Sequence, residues 1–331
     1  MGKIAVLGSN SFIAGSFIAY LLENTDEEII GISRSDEKDR VFSPYAQMQE
    51  AKKRFRFFKE DIKNTDKIIE IVDREKPEAI INFVGQAEVN TSWLYPEQWF
   101  ETNTLAIIRL AQELRKKEYL KKYLSFSSPE VYGSMGENTP ENDTYKPTTP
   151  YAVSKLAGDL FLKTLFIKES FPVVFTRAAN IYGQHQQLFR VIPKVIVQCK
   201  KGEKITLNNA GRSKRGFIHS RDIADAVWKV LQNGKAGEVY HLSRKGELIS
   251  MKEIVQKICA RMGIDFNSSV IIMPENQWRD AVYSLDSSKA MNELGWKPKI
   301  SLDEGIEQTI EWIEKNWDKI KDMPLQYEHK E

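Results

Sequence analysis

The chain has 331 residues, with 48 lysines and arginines against 46 aspartates and glutamates, and 41% of it is hydrophobic. That length suits one large α/β domain or two lobes, and the composition supports a sizeable core and excludes global disorder. The near-balanced charge leaves no electrostatic footprint for nucleic acid, and the basic runs (Lys52–Arg54, Arg115–Lys117, Lys121–Lys122) read as solvated helix faces.

The two cysteines, Cys199 and Cys259, are far apart and form no CxxC, which fits a reducing cytosol rather than a disulfide framework. His185, His219, His241 and His329 show no ligand spacing, so no metal is expected. The opening "MGKIAVLGSN" is a strand and a turn, not a signal peptide. No apolar run is long enough to cross a bilayer. A cytoplasmic protein without membrane contact is the expectation.

In chain order, "KIAVLG" reads as a strand followed by a helix through Leu22. "EEIIGIS" is a strand that leads into a long polar loop, and "RFRFFKEDI" precedes a helix near Ile68–Val72. "AIINFVG" precedes a helix over Thr104–Leu114, "YLSFSS" leads into a helix bearing Tyr151, and "PVVFTRAAN" ends the series. Strands alternating with helices predict a parallel sheet covered on both faces. Ligands of such sheets bind beyond the carboxyl ends of the strands.

After Asn180 the pattern is less regular. "LFRVIPKVIVQCKKGEKITL" predicts a helix and then a strand, and "SLDEGIEQTIEWIEKNW" an amphipathic closing helix. "GFIHSRDIADAVWKVLQ" predicts a strand and helix that return to the first lobe. Residues 1–175 with 216–244 are expected to bind a dinucleotide, and residues 176–215 with 245–331 to bind the substrate.

"VLGSNSFIAG" places Gly8 directly after a strand, with a helix starting at Ser11 or Phe12, and Gly8, Ser11, Phe12 and Ile13 are expected at the cofactor. A glycine there permits a tight turn, and the bare helix N-terminus can receive a pyrophosphate. Ser11 and Ala14 replace the later glycines of the usual fingerprint, and both are small. The second strand ends "GISRSDEK", with Ser33 where an acid would bind the ribose hydroxyls of NAD, and Arg34 beside it. A guanidinium suits a 2′-phosphate and a carboxylate would repel one, so NADP is expected first, with NAD the alternative. The bland reading of Arg34 is a solvated loop residue. Asp61 and Ile62, at the end of the third strand, are placed at the adenine.

"SSPEVYG" and "YAVSK" carry the chemistry. Tyr151 and Lys155 are four apart and share one helix face. A tyrosine keeps its proton until about pH 10, and an adjacent ammonium lowers that value. The pair can then take a proton from an alcohol while hydride leaves the same carbon, with Ser128 steadying the hydroxyl.

These motifs resemble the extended branch of the short-chain dehydrogenase/reductases, the nucleotide-sugar epimerases, dehydratases and decarboxylases. "INFVGQAEVNTSW", "TRAANIYG", "RGFIHSRDIADAV" and "YSLDSSKAMNELGWKP" extend the resemblance over nearly the whole chain. It implies a Rossmann-type doubly wound parallel sheet with a smaller α/β substrate lobe, and a dinucleotide that stays bound and is recycled. It places Val84 and Gln86 against cofactor and sugar, and it implies a homodimer built on the Tyr151 helix and the helix before it.

Glu130 divides the branch. The 4,6-dehydratases carry a glutamate there that removes the proton on sugar carbon 5, once carbon 4 is a ketone. A carboxylate that only ties down backbone is the simpler alternative. In the dTDP-glucose enzymes an aspartate precedes it and protonates the departing hydroxyl; here Pro129 has no proton to give. The GDP-mannose enzymes also lack that aspartate, and there the glutamate serves as base and acid. The resemblance further implies that Asn180, Arg190 and Arg215 hold the substrate diphosphate, with Arg279 a looser match. A 4,6-dehydratase is the first expectation. Decarboxylation, 4-oxidation or 4-epimerisation on the same scaffold is the second. A non-catalytic nucleotide-binding protein is third, disfavoured because Ser128, Tyr151 and Lys155 are all present.

Overall fold

The computed structural model describes residues 2–134, 138–244, 246–274 and 284–329. Seven parallel strands form the central sheet: β1 (Lys3–Leu7), β2 (Glu28–Ser33), β3 (Phe55–Lys59), β4 (Ala79–Asn82), β5 (Lys122–Phe126), β6 (Val173–Ala178) and the strand Val239–Leu242. Their spatial order is Val239–Leu242, β6, β5, β4, β1, β2, β3. The chain therefore winds outward in both directions from β1 and β4, and the crevice of a doubly wound sheet opens beyond that reversal.

Period-2 alternation divides the strands between two cores. Ile4 and Val6 face one layer, with helix α1 (Phe12–Asn24) and the helix Ser220–Asn233; Ala5 and Leu7 face the other. That other layer holds the helices Thr65–Glu75, Ala106–Leu114 and Pro150–Glu169. A third cluster packs the helices Val191–Lys201, Met251–Arg261 and Leu302–Lys315 into the smaller lobe. Val41, from the long loop after β2, is buried in this third cluster, so a segment of the first lobe plugs into the second.

Two expectations change. Phe217–His219 does not join the main sheet but pairs in parallel with Asn180–Tyr182, and the seventh strand is Val239–Leu242. Only the following helix returns, packing beside α1 in the same core. The segment before Leu114 also begins early, as a π-helical turn at Glu101–Leu105 that continues into Ala106–Leu114. Its buried apolar residues (Ile107, Leu110, Leu114) face the sheet. The exposed apolar stripe lies instead on the Tyr151 helix, at Val153, Leu160 and Ile167, with Leu105 exposed nearby on the preceding turn.

Candidate functional site

A cleft of about 1000 Å³ opens over the carboxyl ends of β1, β2, β4 and β5. Gly8 makes its floor possible. The residue has φ +74°, and a Cβ there would lie 2.9 Å from the Val84 amide nitrogen and 3.0 Å from the Phe83 carbonyl carbon. Only glycine allows the turns after β1 and β4 to meet this closely. Ser11 caps α1 by accepting the Ala14 N–H at 3.3 Å, so the helix end is less bare than the sequence suggests. Phe12 and Ile13, its first two helical residues, line the cleft, where amides without an intrahelical partner suit a diphosphate.

Ser33, Arg34, Asp61, Ile62, Val84 and Gln86 also line the cleft. The Ser33 hydroxyl accepts the Asn10 N–H at 3.0 Å and keeps its own proton for a ribose oxygen. The Asn10 amide donates to the Ser35 and Asp36 carbonyls at 2.9 and 2.8 Å. It thereby fixes the loop that carries Arg34, whose side chain is exposed at the rim. A glycine cradle, helix N-terminal amides and the Ser33 hydroxyl in the cleft wall together fit a nicotinamide dinucleotide.

The reacting groups converge from three elements. Ser128 caps a single 3-10 turn, Pro129–Tyr132, and its hydroxyl accepts the Glu130 N–H at 3.2 Å. Glu130 thus lies on a turn beyond the strand rather than at the strand end, because Pro129 supplies the φ that starts the turn. Thr149 caps the Pro150–Glu169 helix, which presents Tyr151 and Lys155. Ser128, Glu130 and Tyr151 all line the cleft.

Burial pushes the Glu130 carboxyl up to about 7; the Arg215 cation opposes this and Glu88 adds to it. A carboxyl near 7 is suited to taking and giving a proton at neutral pH. The Tyr151 phenol sits above its ordinary value because of burial and the Glu130 charge, while Ser128 pulls it down. The expected lowering by Lys155 is not what the structure gives. Lys155 Nζ donates to the Phe126 carbonyl at 3.0 Å, and burial disfavours its charge, offset by Asp159.

The substrate-holding residues divide. Asn180 and Arg190 line the cleft, with Arg190 3.7 Å from Glu88. Arg215 lies off the cleft wall, on a two-residue strand paired with Ile249–Ser250, although its cation reaches Glu130. Arg279 lies outside the described residues. Three supports lie outside the residues singled out by the sequence motifs. Asn103, on the π turn, grips Gln86. Asp159 accepts from the Ser127 hydroxyl and pairs with the fully buried Arg177 at 3.3 Å. Arg177 in turn lies 4.7 Å over the Tyr132 ring. Asp159 follows Lys155 by four residues, the spacing that flagged Tyr151 and Lys155, so that signal was present.

The sheet order, the crevice and the Tyr151 helix define a dinucleotide-dependent enzyme of the short-chain dehydrogenase/reductase type. The chain belongs to the family described as GDP-mannose 4,6 dehydratase, which matches residues 6–309. It is 29% identical over 326 residues to the dTDP-D-glucose 4,6-dehydratase of Mus musculus, covering 95% of this chain and 89% of that one. With the dTDP-glucose 4,6-dehydratase of Streptomyces niveus it shares 28% over 330 residues, 96% of each. The dTDP-glucose 4,6-dehydratase of Streptomyces venezuelae, solved with NAD bound, superposes with a TM-score of 0.87 at 27% identity, covering 96% of this chain and 98% of that one. That of Bacillus anthracis, also in complex with NAD, gives 0.85 at 25%, covering 96% and 98%. NAD, the second of the two expected dinucleotides, is thus the one these solved relatives hold.

Proposed function

We propose that the protein removes water from a nucleoside-diphosphate hexose, giving the 4-keto-6-deoxy sugar, by oxidation at carbon 4 and elimination across carbons 5 and 6. The observation that carries this reading is Glu130: a largely buried carboxyl, held near 7, on the turn between Ser128 and the Tyr151 helix. An enzyme that only oxidises carbon 4 has no use for a second base there. Bound NAD supplies the hydride acceptor and, at the end, the donor.

Tyr151 is assigned to take the proton of the carbon 4 hydroxyl, which Ser128 orients; the Ser128 hydroxyl and the Arg190 charge oppose the burial that raises the Tyr151 phenol. Lys155 Nζ lies beneath the cleft, 3.9 Å from where a Cβ on Gly85 would stand, and the Asp159 carboxylate offsets the burial that disfavours its charge. The ketone at carbon 4 acidifies carbon 5. Glu130 removes that proton and delivers one to the hydroxyl leaving carbon 6, because Pro129 leaves no separate acid beside it. Asn180, Arg190 and Arg215 are assigned to the substrate diphosphate. The dinucleotide part is assigned to residues 1–175 with 216–244 and the substrate part to the remainder, with two adjustments: β6 carries the first part on to Ala178, and Phe217–His219 pairs outside the main sheet. The stripe Val153, Leu160, Ile167 recurs every seven residues and supports a homodimer formed through the Tyr151 helix. Among the described residues no helix is long and apolar enough to cross a membrane; the free thiols of Cys199 and Cys259 support a cytoplasmic enzyme.

The test is incubation of the NAD-loaded protein with dTDP-glucose and, separately, GDP-mannose, followed by mass spectrometry. Loss of one water from either is the expected result. An isomer of unchanged mass, or no loss of water from either substrate, would overturn the assignment.

A further inference from the structure

Arg177, on β6, is 1% exposed, and an arginine buried this deeply is costly unless its charge is paired and its donors are used. Its Nη2 donates to Asp159 Oδ2 at 3.3 Å, on the helix that bears Tyr151 and Lys155. Asp159 also accepts from the Ser127 hydroxyl and, at 3.4 Å, from that of Ser125. The other arm of the guanidinium, Nη1, donates to the Tyr132 hydroxyl, which lies 2.9 Å from His241 Nε2. The guanidinium carbon lies 4.7 Å over the Tyr132 ring and 5.2 Å over the Tyr145 ring. Tyr132 is the last residue of the 3-10 turn Pro129–Tyr132, two positions after Glu130.

We propose that Arg177 is a positioning residue for Glu130: through the Tyr132 hydroxyl it fixes the turn that carries the carboxyl, and Asp159 ties that turn to the Tyr151 helix. Ser127, directly before the cap Ser128, joins the same carboxylate. The elements that bear Ser128, Glu130 and Tyr151 therefore meet at one buried ion pair. The fork of a guanidinium suits this place, because it reaches acceptors on two different elements at once, which an ammonium does not. The turn needs such support. A single 3-10 turn has poor hydrogen-bond geometry of its own, and the Ser128 cap holds only its first end. A carboxyl that serves both carbon 5 and the hydroxyl on carbon 6 must stand within about 1 Å of its place, since such a misplacement costs about a hundredfold in rate. That double duty rests on the function proposed above, whereas the hold on Glu130 does not.

Two variants test this. Tyr132→Phe keeps the ring beneath the guanidinium and removes the hydroxyl; Arg177→Lys keeps the charge and loses the fork. Each NAD-loaded protein is mixed with dTDP-glucose or GDP-mannose in a single turnover, with reduced nicotinamide followed by absorbance and loss of water by mass spectrometry. Both variants should oxidise carbon 4 within about twofold of wild type, accumulate reduced nicotinamide, and eliminate water about a hundredfold more slowly. An ion pair that only stabilises the fold would lower both steps together through loss of folded protein. An unchanged ratio of the two rates would therefore overturn the proposal. Should Arg177→Lys fail to fold, Tyr132→Phe decides alone. A second measurement needs no turnover: carbon-13 NMR of the Glu130 carboxyl, assigned by its loss in Glu130→Gln, across pH. In both variants it should titrate below its wild-type value, because a loosened turn lets water reach the carboxylate. A wild type that eliminates no water would remove the dehydratase assignment, and the titration would still decide the positioning role. A Glu130 titration identical in wild type and Tyr132→Phe would then end it.

Discussion

Asn103 holds Gln86 by both edges of its peptide: its Oδ1 accepts the Gln86 N–H at 2.9 Å, and its Nδ2 donates to the Gln86 carbonyl at 3.0 Å. The same Nδ2 reaches the Ser154 hydroxyl at 3.0 Å, which donates to the Tyr151 carbonyl at 2.8 Å. One buried amide thus ties the loop after β4, which lines the cleft, to the helix that bears the phenol. The π turn delivers it by widening the helix against Gly158, where a Cβ would lie 2.5 Å from the Asn103 carbonyl.

Asn103→Asp should therefore cost more than a lost contact. The new oxygen faces the Gln86 carbonyl, and two buried acceptors lose their donor. The expected destabilisation is about 2 kcal/mol, read from denaturant unfolding, with kcat falling while Tyr151 is untouched. Wild-type stability in this variant would show that the clasp is incidental.

Tyr151→Phe keeps the ring and removes the proton acceptor. Turnover should fall by a factor of about a hundred to ten thousand, with nucleoside diphosphate affinity unchanged. A variant that turns over normally would exclude the phenol from the oxidation step.

Arg34 stands at the exposed rim of the cleft, on the loop that Asn10 fixes. Arg34→Ala should weaken NADP by about tenfold and NAD by less than twofold, since only NADP brings a 2′-phosphate to the guanidinium. Equal losses for both cofactors in fluorescence titrations would place the guanidinium elsewhere.

Leu160 and Ile167 are exposed on the Tyr151 helix, one heptad apart. Leu160→Glu should convert a homodimer at micromolar concentration into a monomer, followed by light scattering, because a buried carboxylate without a partner costs several kcal/mol. A wild-type monomer would refute the interface.

Features contiguous in sequence were legible in advance. The β1–Gly8–α1 turn is local, and Tyr151 and Lys155 need only one helical turn to meet. Asn103 was hidden because its partners lie 17 and 51 residues away, and nothing in "ETNTL" announces a π turn. Phe217–His219 has the same apolar pattern as the main strands, and pattern cannot say which sheet a strand joins. The Lys155 ammonium predicts a lowered pKa for the Tyr151 phenol, but burial, which helical spacing does not reveal, raises it. Tyr327 lies far down the chain from any motif, and only the course of the chain after Ile320 brings it to the cleft.

Glu130 gives the sharpest pH dependence. As carbon 5 base it works only when ionised, so kcat/KM for dehydration should rise with pH and level off above about 7, where its carboxyl titrates. The same shift affects stability with a defined sign. A carboxyl raised from its ordinary value penalises folding as pH climbs from the unfolded value towards 7, since the unfolded chain ionises first. Glu130→Gln carries no such penalty. It should gain stability relative to wild type between about pH 5 and 8, by at most on the order of 3 kcal/mol, measured by urea unfolding across pH. In catalysis the variant should still oxidise carbon 4, because that half-reaction leaves carbon 5 untouched. It should accumulate the absorbance of reduced nicotinamide, release no water, and wash no solvent deuterium into carbon 5. Pro129→Asp should add little, because Glu130 already makes both transfers. Dehydration at full rate by Glu130→Gln, or a wild type that exchanges no carbon 5 proton with any nucleotide hexose, would take the elimination away from Glu130.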